Sequence, residues 1–176
     1  MGQFTLIIGG ARSGKSKFAV ELAKGVCGRV AFIATAVVTD DEMRNRIEEH
    51  RKMRPSAWMT VEEPLHIAQW LKVHHAEFDA IIVDCITIWL SNWLMEGATD
   101  ETILAAVDEF IDIATSYRGH LIAVSNEVGM GVVPETPLGR RFRDLAGEAN
   151  QRIATKATTV YWLCAGMPVR IKPELR

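Results

Sequence analysis

Short apolar runs alternate with amphipathic segments along the chain. Several of the apolar runs are hydrophobic throughout, which is typical of strands that helices cover on both faces. The predicted strands are Phe4–Ile8, Arg29–Ala34, Trp58–Val61, Ala80–Cys85, Leu121–Ser125 and Thr159–Leu163. The predicted helices are Lys15–Lys24, Asp40–Lys52, Leu65–His74, Trp89–Glu96, Asp100–Tyr117 and Leu138–Lys156. This alternation predicts an α/β domain with a mainly parallel sheet flanked by helices.

The C-terminal end of the pattern differs from the rest. A last apolar run, Val169–Lys172, follows the preceding strand after only Ala165-Gly166-Met167-Pro168. Such a short connection has no room for a crossover helix. We therefore expect an antiparallel hairpin at one end of the sheet.

A phosphate-binding pattern follows the first predicted strand. The sequence there is Gly9, Gly10, Ala11, Arg12, Ser13, Gly14, Lys15 and Ser16, which fits G-x-x-x-x-G-K-[ST]. Glycines let backbone N–H groups point into one concavity, and the following helix adds partial positive charge at its N-terminus. Lys15 would reach the β- and γ-phosphates, and the Ser16 hydroxyl would hold Mg²⁺. An ordinary glycine-rich turn with a surface lysine is the alternative, and it does not require the flanking strand and helix.

A second acidic position suits the same chemistry. The strand Ala80–Cys85 carries Asp84 at its end and resembles a Walker B element, whose carboxylate holds Mg²⁺ directly or through water. The alternative is that Asp84 caps the next helix. Together with the glycine-rich loop, the sequence predicts a magnesium site formed by Ser16 and Asp84.

Composition narrows the class of protein. The 176 residues predict one domain, residues 1–176, with a net charge of −2. Neither a basic excess for nucleic acid nor a long apolar segment for a membrane is present. The cysteines Cys27, Cys85 and Cys164 are odd in number and widely spaced, which disfavours disulfides and zinc. A reducing cytoplasmic location fits these features.

The predicted second helix ends in a basic cluster. Met43, Ile47, His50 and Arg54 share one helical face, and His50 is flanked by Arg51. An imidazole among guanidinium groups suits a phosphate-bearing partner and can attack phosphorus as a nucleophile. Packing of His50 at the edge of an apolar stripe, with solvated arginines, is the alternative from the residues alone.

Three further features remain open at this stage. Glu62 and Glu63 follow a strand and would either bind a base or ribose, or cap the next helix. The loop Asn126–Pro137 follows a strand and is a candidate lid or substrate wall. Beyond it, polar residues that would contact phosphates, a subunit or solvent are Arg140, Arg141, Arg143 and Asn150.

Taken together, these motifs resemble a known family. GGARSGKS at 9–16, DDEMRNRIEEHRKMRP at 40–55, VEEP at 61–64 and NEVGMGVVPE with the later FRDLAGEANQR are similar to adenosylcobinamide kinase / adenosylcobinamide-phosphate guanylyltransferase. The resemblance implies a RecA-like P-loop NTPase fold and a homotrimer. It also implies two reactions: an NTP phosphorylates adenosylcobinamide, and GTP then transfers GMP to that phosphate with release of pyrophosphate through a GMP–histidine intermediate. The substrates would be adenosylcobinamide with GTP or ATP.

The resemblance assigns roles to individual positions. The guanylylated histidine falls on His50, and Lys15 is the second catalytic residue. Besides Gly9–Ser16, the implied nucleotide contacts are Ala34, Thr35, Ala36, Arg51, Lys52, Met53, Arg54, Glu62 and Asp84. Whether Glu62 or Glu63 binds the base stays open. Two alternatives remain: a P-loop small-molecule kinase without guanylyl transfer, and a RecA-like nucleotide-dependent binding or assembly protein.

Overall fold

The computed structural model describes residues 2–173, which form a seven-stranded sheet with helices on both faces. The strands are β1 Gln3–Gly9, β2 Val30–Ala34, β3 Met59–Glu62, β4 Ala80–Asp84, β5 His120–Asn126, β6 Thr159–Cys164 and β7 Met167–Lys172. The helices are α1 Lys15–Lys24, α2 Asp41–Lys52, α3 Ile67–His74, α4 Ile86–Met95, α5 Asp100–Ser116 and α6 Pro137–Lys156, with a short 3₁₀ helix at His75–Glu77.

The strand order in the sheet is β3-β2-β4-β5-β1-β6-β7. Every pairing is parallel except that of β6 with β7. The predictions of a mainly parallel sheet and a C-terminal antiparallel hairpin are therefore confirmed. The hairpin turn is shorter than expected, because Ala165 and Gly166 with φ of 50° and 82° form a two-residue turn and β7 already begins at Met167.

The sheet separates two hydrophobic clusters because side chains alternate along each strand. On one face Ile82 packs with Val20 and the other buried residues of α1. On the opposite face Ile81 packs in a larger cluster with Trp89 and residues of α3, α5 and α6. Coverage on both faces explains why the central strands have no polar alternation. Within residues 2–173, no helix combines the length and apolar character that a membrane crossing needs.

Several helices begin directly after a residue whose side chain accepts a backbone N–H of the first turn. Asp40 accepts a hydrogen bond from the Met43 N–H at 2.7 Å, and Thr99 and Thr136 cap α5 and α6 in the same way. The start predicted for α4 was wrong: α4 begins at Ile86 rather than Trp89, because the Cys85 thiol accepts the Ile88 N–H.

The start of α3 also differs from the prediction. The Glu63 carboxylate accepts the backbone N–H groups of Leu65 and His66, at 3.0 and 2.8 Å. These bonds hold a turn before the helix, so α3 begins at Ile67 rather than Leu65. Glu63 is therefore a capping residue, as one of the two alternatives for the Glu62-Glu63 pair predicts.

Candidate active site

A cavity of about 470 Å³ lies at the carboxyl edge of the sheet, between the glycine-rich loop and α2. This edge is where parallel α/β sheets place their ligands. The loop contributes Arg12, Ser13, Gly14, Lys15 and Ser16 to the wall. Opposite them are residues of α2 and its C-terminal end, including Met43, Ile47, His50, Met53 and Arg54. The cavity therefore joins the two motifs that the sequence analysis treated separately.

The glycine-rich loop is shaped by contacts with the C-terminal hairpin. A Cβ on Gly9 would lie 2.4 Å from the Leu163 carbonyl oxygen, so only glycine fits there. Gly14 has a φ of 94°, a conformation that favours glycine, and it immediately precedes α1. The Gly166 N–H donates to the Ser13 carbonyl oxygen at 3.0 Å. The hairpin thus stabilises the loop whose N–H groups would receive phosphate.

Lys15 is the first residue of α1, and its side chain turns back onto the glycine-rich loop. Its Nζ donates to the Gly10 carbonyl oxygen at 2.5 Å and to the Ser13 hydroxyl at 3.5 Å, and the residue is only 8% exposed. Burial keeps the ammonium group at the phosphate-binding loop rather than in solvent. A cation in this position stabilises charge that develops on a transferred phosphoryl group.

His50 faces Asp84 across the cavity. The His50 Nδ1 and the Asp84 Oδ2 are 3.6 Å apart, and the Asp84 side chain is 9% exposed. A carboxylate beside Nδ1 favours the tautomer that carries its proton there, which leaves Nε2 with a lone pair. The pair can therefore present a nucleophilic nitrogen and stabilise positive charge on the ring after attack.

Arg54 stacks on an aromatic ring beside this pair. Its guanidinium carbon lies 3.7 Å from the centre of the Phe32 ring, a cation–π contact. Burial lowers the pKa of Arg54, and the nearby Asp84 carboxylate acts in the opposite direction. The predicted end of α2 at Lys52 is confirmed, but the expectation that Arg54 shares the helical face of His50 was wrong, because Arg54 lies beyond the Met53 C-cap. It still lines the cavity together with His50.

Two acidic residues near α2 are separated by their contacts. The exposed Glu62 carboxylate accepts a hydrogen bond from the Arg51 guanidinium at 2.9 Å. Glu63 instead uses its carboxylate on the backbone before α3. Of the two, Glu62 is the one whose side chain is joined to the basic end of α2.

Thr35 is fully buried between the ends of β2 and β4. Its hydroxyl donates to the Cys85 carbonyl oxygen and accepts the Cys85 N–H, both at 2.8 Å. Ala34 and Ala36 on either side of it line the cavity. The Thr35 side chain therefore fixes the backbone next to Asp84. The Thr35 N–H donates to the Asp84 carbonyl oxygen and its carbonyl oxygen accepts the Asn92 amide, so the contacts of Thr35 are structural.

The donor chemistry at Asp84 fits a magnesium ion. The buried Asp84 Oδ2 accepts no hydrogen bond, and Ser16 lines the same cavity. One carboxylate and one hydroxyl leave most coordination positions for phosphate oxygens and water, as Mg²⁺ requires. Across residues 2–173, no group of three or more His, Cys, Asp or Glu side chains forms a separate metal cage.

Comparison with known proteins identifies the family. The sequence model described as cobinamide kinase / cobinamide phosphate guanyltransferase matches residues 5–171. The chain belongs to this family. Among its relatives is the bifunctional adenosylcobalamin biosynthesis protein CobP of Pseudomonas aeruginosa, 43% identical over 96% of this chain and 97% of the relative. Proteins named CobU from Escherichia coli and Salmonella typhimurium are 37% and 41% identical, each over 95% of this chain and 98% of the relative.

Membership in the cobinamide kinase family agrees with the P-loop NTPase fold. The expected site residues that line the cavity are Arg12, Ser13, Gly14, Lys15, Ser16, Ala34, Ala36, His50, Met53, Arg54 and Asp84. The rest of the expected set, which does not line it, is Gly9, Gly10, Ala11, Thr35, Arg51, Lys52 and Glu62. The individual role of each residue stays a prediction.

The arginines of α6 have partners outside the cavity. Arg140 donates to the Pro134 and Glu135 carbonyl oxygens, and Arg141 pairs with Asp100. These contacts within the chain favour the solvated helix face over phosphate contact for Arg140 and Arg141.

The sequence analysis missed several residues of the cavity. Phe32, which supports the cavity residue Arg54 from behind, was also missed, because the two come from distant segments. Asn126 lines the cavity itself and was missed, since the whole loop after β5 was treated as one unit. Its position two residues after the buried Val124 was the available signal, because alternate residues of a strand share a face.

Proposed function

We propose that this chain phosphorylates adenosylcobinamide with an NTP and then transfers GMP from GTP to adenosylcobinamide phosphate. The observation that carries the proposal is that the P-loop and His50 line one cavity, with Asp84 beside the imidazole. The family description and the names of the relatives, bifunctional adenosylcobalamin biosynthesis proteins, support the same pair of reactions.

The kinase reaction uses the glycine-rich loop. Its N–H groups and the N-terminus of α1 bind the nucleotide phosphates, and Lys15 stabilises charge on the transferred phosphoryl group. The substrate hydroxyl oxygen bonds to the γ-phosphorus, the nucleoside diphosphate leaves, and the hydroxyl proton passes to solvent. Ser16 and Asp84 would hold Mg²⁺, which supplies positive charge to the phosphate oxygens when bound.

Guanylyl transfer uses His50. Its Nε2 attacks the α-phosphorus of GTP, and pyrophosphate leaves. The ring then carries positive charge with its proton on Nδ1, which the Asp84 carboxylate stabilises. The phosphate of adenosylcobinamide phosphate attacks the same phosphorus, and neutral His50 is released. Arg54, fixed on Phe32, offsets negative charge during both steps.

The remaining assignments follow from the contacts. We assign base or ribose contact to Glu62, because the Glu63 carboxylate is engaged by the turn before α3. The neighbouring Arg51, Lys52 and Met53 would border the nucleotide. We also propose a homotrimeric assembly in the cytoplasm, in line with the family resemblance. Either ATP or GTP would serve the kinase reaction.

Two labels separate the proposed reactions. Adenosylcobinamide is incubated with GTP labelled at either the γ- or the α-phosphate, and the products are identified by mass spectrometry. Transfer of both labels to the corrinoid supports the bifunctional assignment. Transfer of the γ-label alone would favour a small-molecule kinase without guanylyl transfer. Transfer of neither label, combined with nucleic-acid binding, would favour a RecA-like binding protein.

A further inference from the structure

Asn126 is the last residue of β5, which lies between β1 and β4 in the sheet. Strand β5 has β1, which leads into the glycine-rich loop, on one side and β4, which ends in Asp84, on the other. The register places Asn126 beside Gly9, whereas Asp84 pairs with Val124, two residues earlier. Strand β5 therefore reaches further toward the carboxyl edge than β4 does, and Asn126 lies next to the start of the loop.

Strand alternation directs the Asn126 side chain toward the cavity. Val124 is buried with Val20 on the face covered by α1. Ser125 points to the opposite face, where its hydroxyl donates to Asn150. Asn126 therefore shares the face of Val124, and both residues line the cavity.

A ring of buried hydrogen bonds fixes the backbone of Asn126. Its N–H donates to the Thr87 hydroxyl at 2.7 Å, and its carbonyl oxygen accepts the Asn150 amide at 3.1 Å. The Thr87 and Ser125 hydroxyls are 3.1 Å apart, and the Ser125 hydroxyl donates to the Asn150 side-chain oxygen at 2.6 Å. Asn126 is thereby tied to both α4 and α6.

Burying the polar side chains of this ring costs free energy, and packing at this place does not itself require polar residues. Thr87, Ser125 and Asn150 are all at most 5% exposed, and burying polar side chains is unfavourable unless they are hydrogen-bonded. Apolar residues of similar size would fill the same space. They could not form the two hydrogen bonds that Thr87 and Asn150 make with the Asn126 backbone. The next residue is held as well, since the Glu127 N–H donates to the Gly9 carbonyl oxygen at 3.0 Å.

We propose that the Asn126 side-chain amide donates a hydrogen bond to the γ-phosphoryl group as it is transferred, and that Thr87, Ser125 and Asn150 are its positioning residues. The inference rests on the proposed kinase reaction. In that step the substrate oxygen bonds to the γ-phosphorus and the bridging oxygen leaves with the nucleoside diphosphate. A neutral amide suits the position because it can donate a hydrogen bond to phosphate. An ionised carboxylate could not donate and would repel the phosphate. Pre-aligned donors of this kind act on charge in the transition state.

Variants of Asn126 test the contact with phosphate. Asn126→Ala should lower the kinase kcat about 100-fold with little change in the nucleotide KM, the effect expected when one transition-state donor is removed. Asn126→Asp should lower it further, because its charge repels phosphate. Guanylylation of His50 by GTP should fall much less, since attack there occurs at the α-phosphorus. Thermal denaturation checks that each variant is folded.

Three results would overturn the assignment. They are an unchanged kcat in Asn126→Ala, a raised nucleotide KM with unchanged kcat, and an equal loss of kinase and guanylylation activity. Wild-type kinase turnover is measured first. Its absence overturns the proposed function together with this inference, whereas turnover in the wild type and an undiminished Asn126→Ala overturn this inference alone.

The positioning residues are tested by variants that keep or remove the side-chain groups bonded to the Asn126 backbone. Thr87→Ser retains the hydroxyl and should retain kcat, whereas Thr87→Val should lower kcat about tenfold at temperatures where it is fully folded. Asn150→Ala should do the same, with Gln151→Ala as the matched control, because Gln151 is the exposed neighbour on the same helix. A folded Thr87→Val with the wild-type kcat would contradict the positioning role. Where the variants of Thr87 or Asn150 do not fold, the kinase kcat of Asn126→Ala decides whether the inference stands.

Discussion

At the scale of single residues, the site depends on how three side chains from different segments are held. Asp84 ends β4 with a buried oxygen that accepts no hydrogen bond. His50 lies 3.6 Å from that oxygen, and Arg54 is stacked 3.7 Å from the centre of the Phe32 ring. The carboxylate can therefore serve a metal ion in one reaction and the imidazole in the other, while Arg54 supplies fixed positive charge.

Stacking of Arg54 gives the first prediction. Arg54→Lys keeps the charge but loses the planar group that lies on Phe32, so guanylylation should slow about tenfold, or about 1.4 kcal/mol in activation free energy. The rate of GMP incorporation measures this. The matched control is Arg44→Lys on the outer side of α2, where Arg44 pairs with the exposed Asp41. Equal rates in the two variants would contradict the role of the stacked guanidinium.

His120 gives a prediction about pH and stability. Burial lowers the pKa of His120, whose ring is hydrogen-bonded to the Thr5 hydroxyl at 2.8 Å. The unfolded chain therefore binds a proton more readily than the folded one, and the free energy of unfolding should fall as pH drops below about 6.5. Urea denaturation from pH 7 to pH 5 measures the slope. His120→Asn should make it shallower, and an unchanged slope would contradict this origin.

At the scale of elements, the phosphate-binding loop is shaped by neighbours that are distant in sequence. The β6–β7 turn donates to Ser13, and β6 approaches Gly9 through the Leu163 carbonyl oxygen. At the other side of the cavity, Thr35 joins the end of β2 to the backbone just after Asp84. The cavity is therefore held by strand ends, whereas α2 contributes the histidine.

Two adjacent glycines test the first of these contacts. Gly9→Ala should lower the free energy of unfolding by about 1–3 kcal/mol, because its Cβ would lie 2.4 Å from a backbone oxygen. Gly10→Ala meets no atom within 4 Å and should change it by less than about 0.5 kcal/mol. Urea denaturation of both variants makes the comparison. Equal destabilisation would show that the close approach to Leu163 is not what requires glycine.

Thr35 tests the second contact. Thr35→Val leaves the Cys85 N–H and carbonyl oxygen without the hydroxyl, which should lower the free energy of unfolding by about 1–3 kcal/mol. Thr60→Val on β3 is the control, since within the described part of the chain the Thr60 hydroxyl makes no hydrogen bond. A loss no larger than in the control, measured by urea denaturation, would contradict the structural role of Thr35.

At the scale of the whole molecule, one cavity joins a phosphate-binding loop to a histidine on another element. The loop, the strand alternation and the hairpin could be predicted because each is a local pattern. The α4 start could not, since a cysteine cap lacks the usual sequence signal. Nor could the Thr87–Ser125–Asn150 ring or the Phe32–Arg54 stack, because their members meet only after the sheet has formed.

The central claim is that His50 carries the GMP during guanylyl transfer. The most direct measurement is mass spectrometry of the protein after incubation with GTP and Mg²⁺ in the absence of corrinoid. The account predicts one GMP adduct, located on His50, that is lost in His50→Ala. It should persist in His74→Ala, since His74 is a partly exposed residue of α3 that pairs with Glu77. An adduct of undiminished yield in His50→Ala, or one located on another residue, would contradict the account.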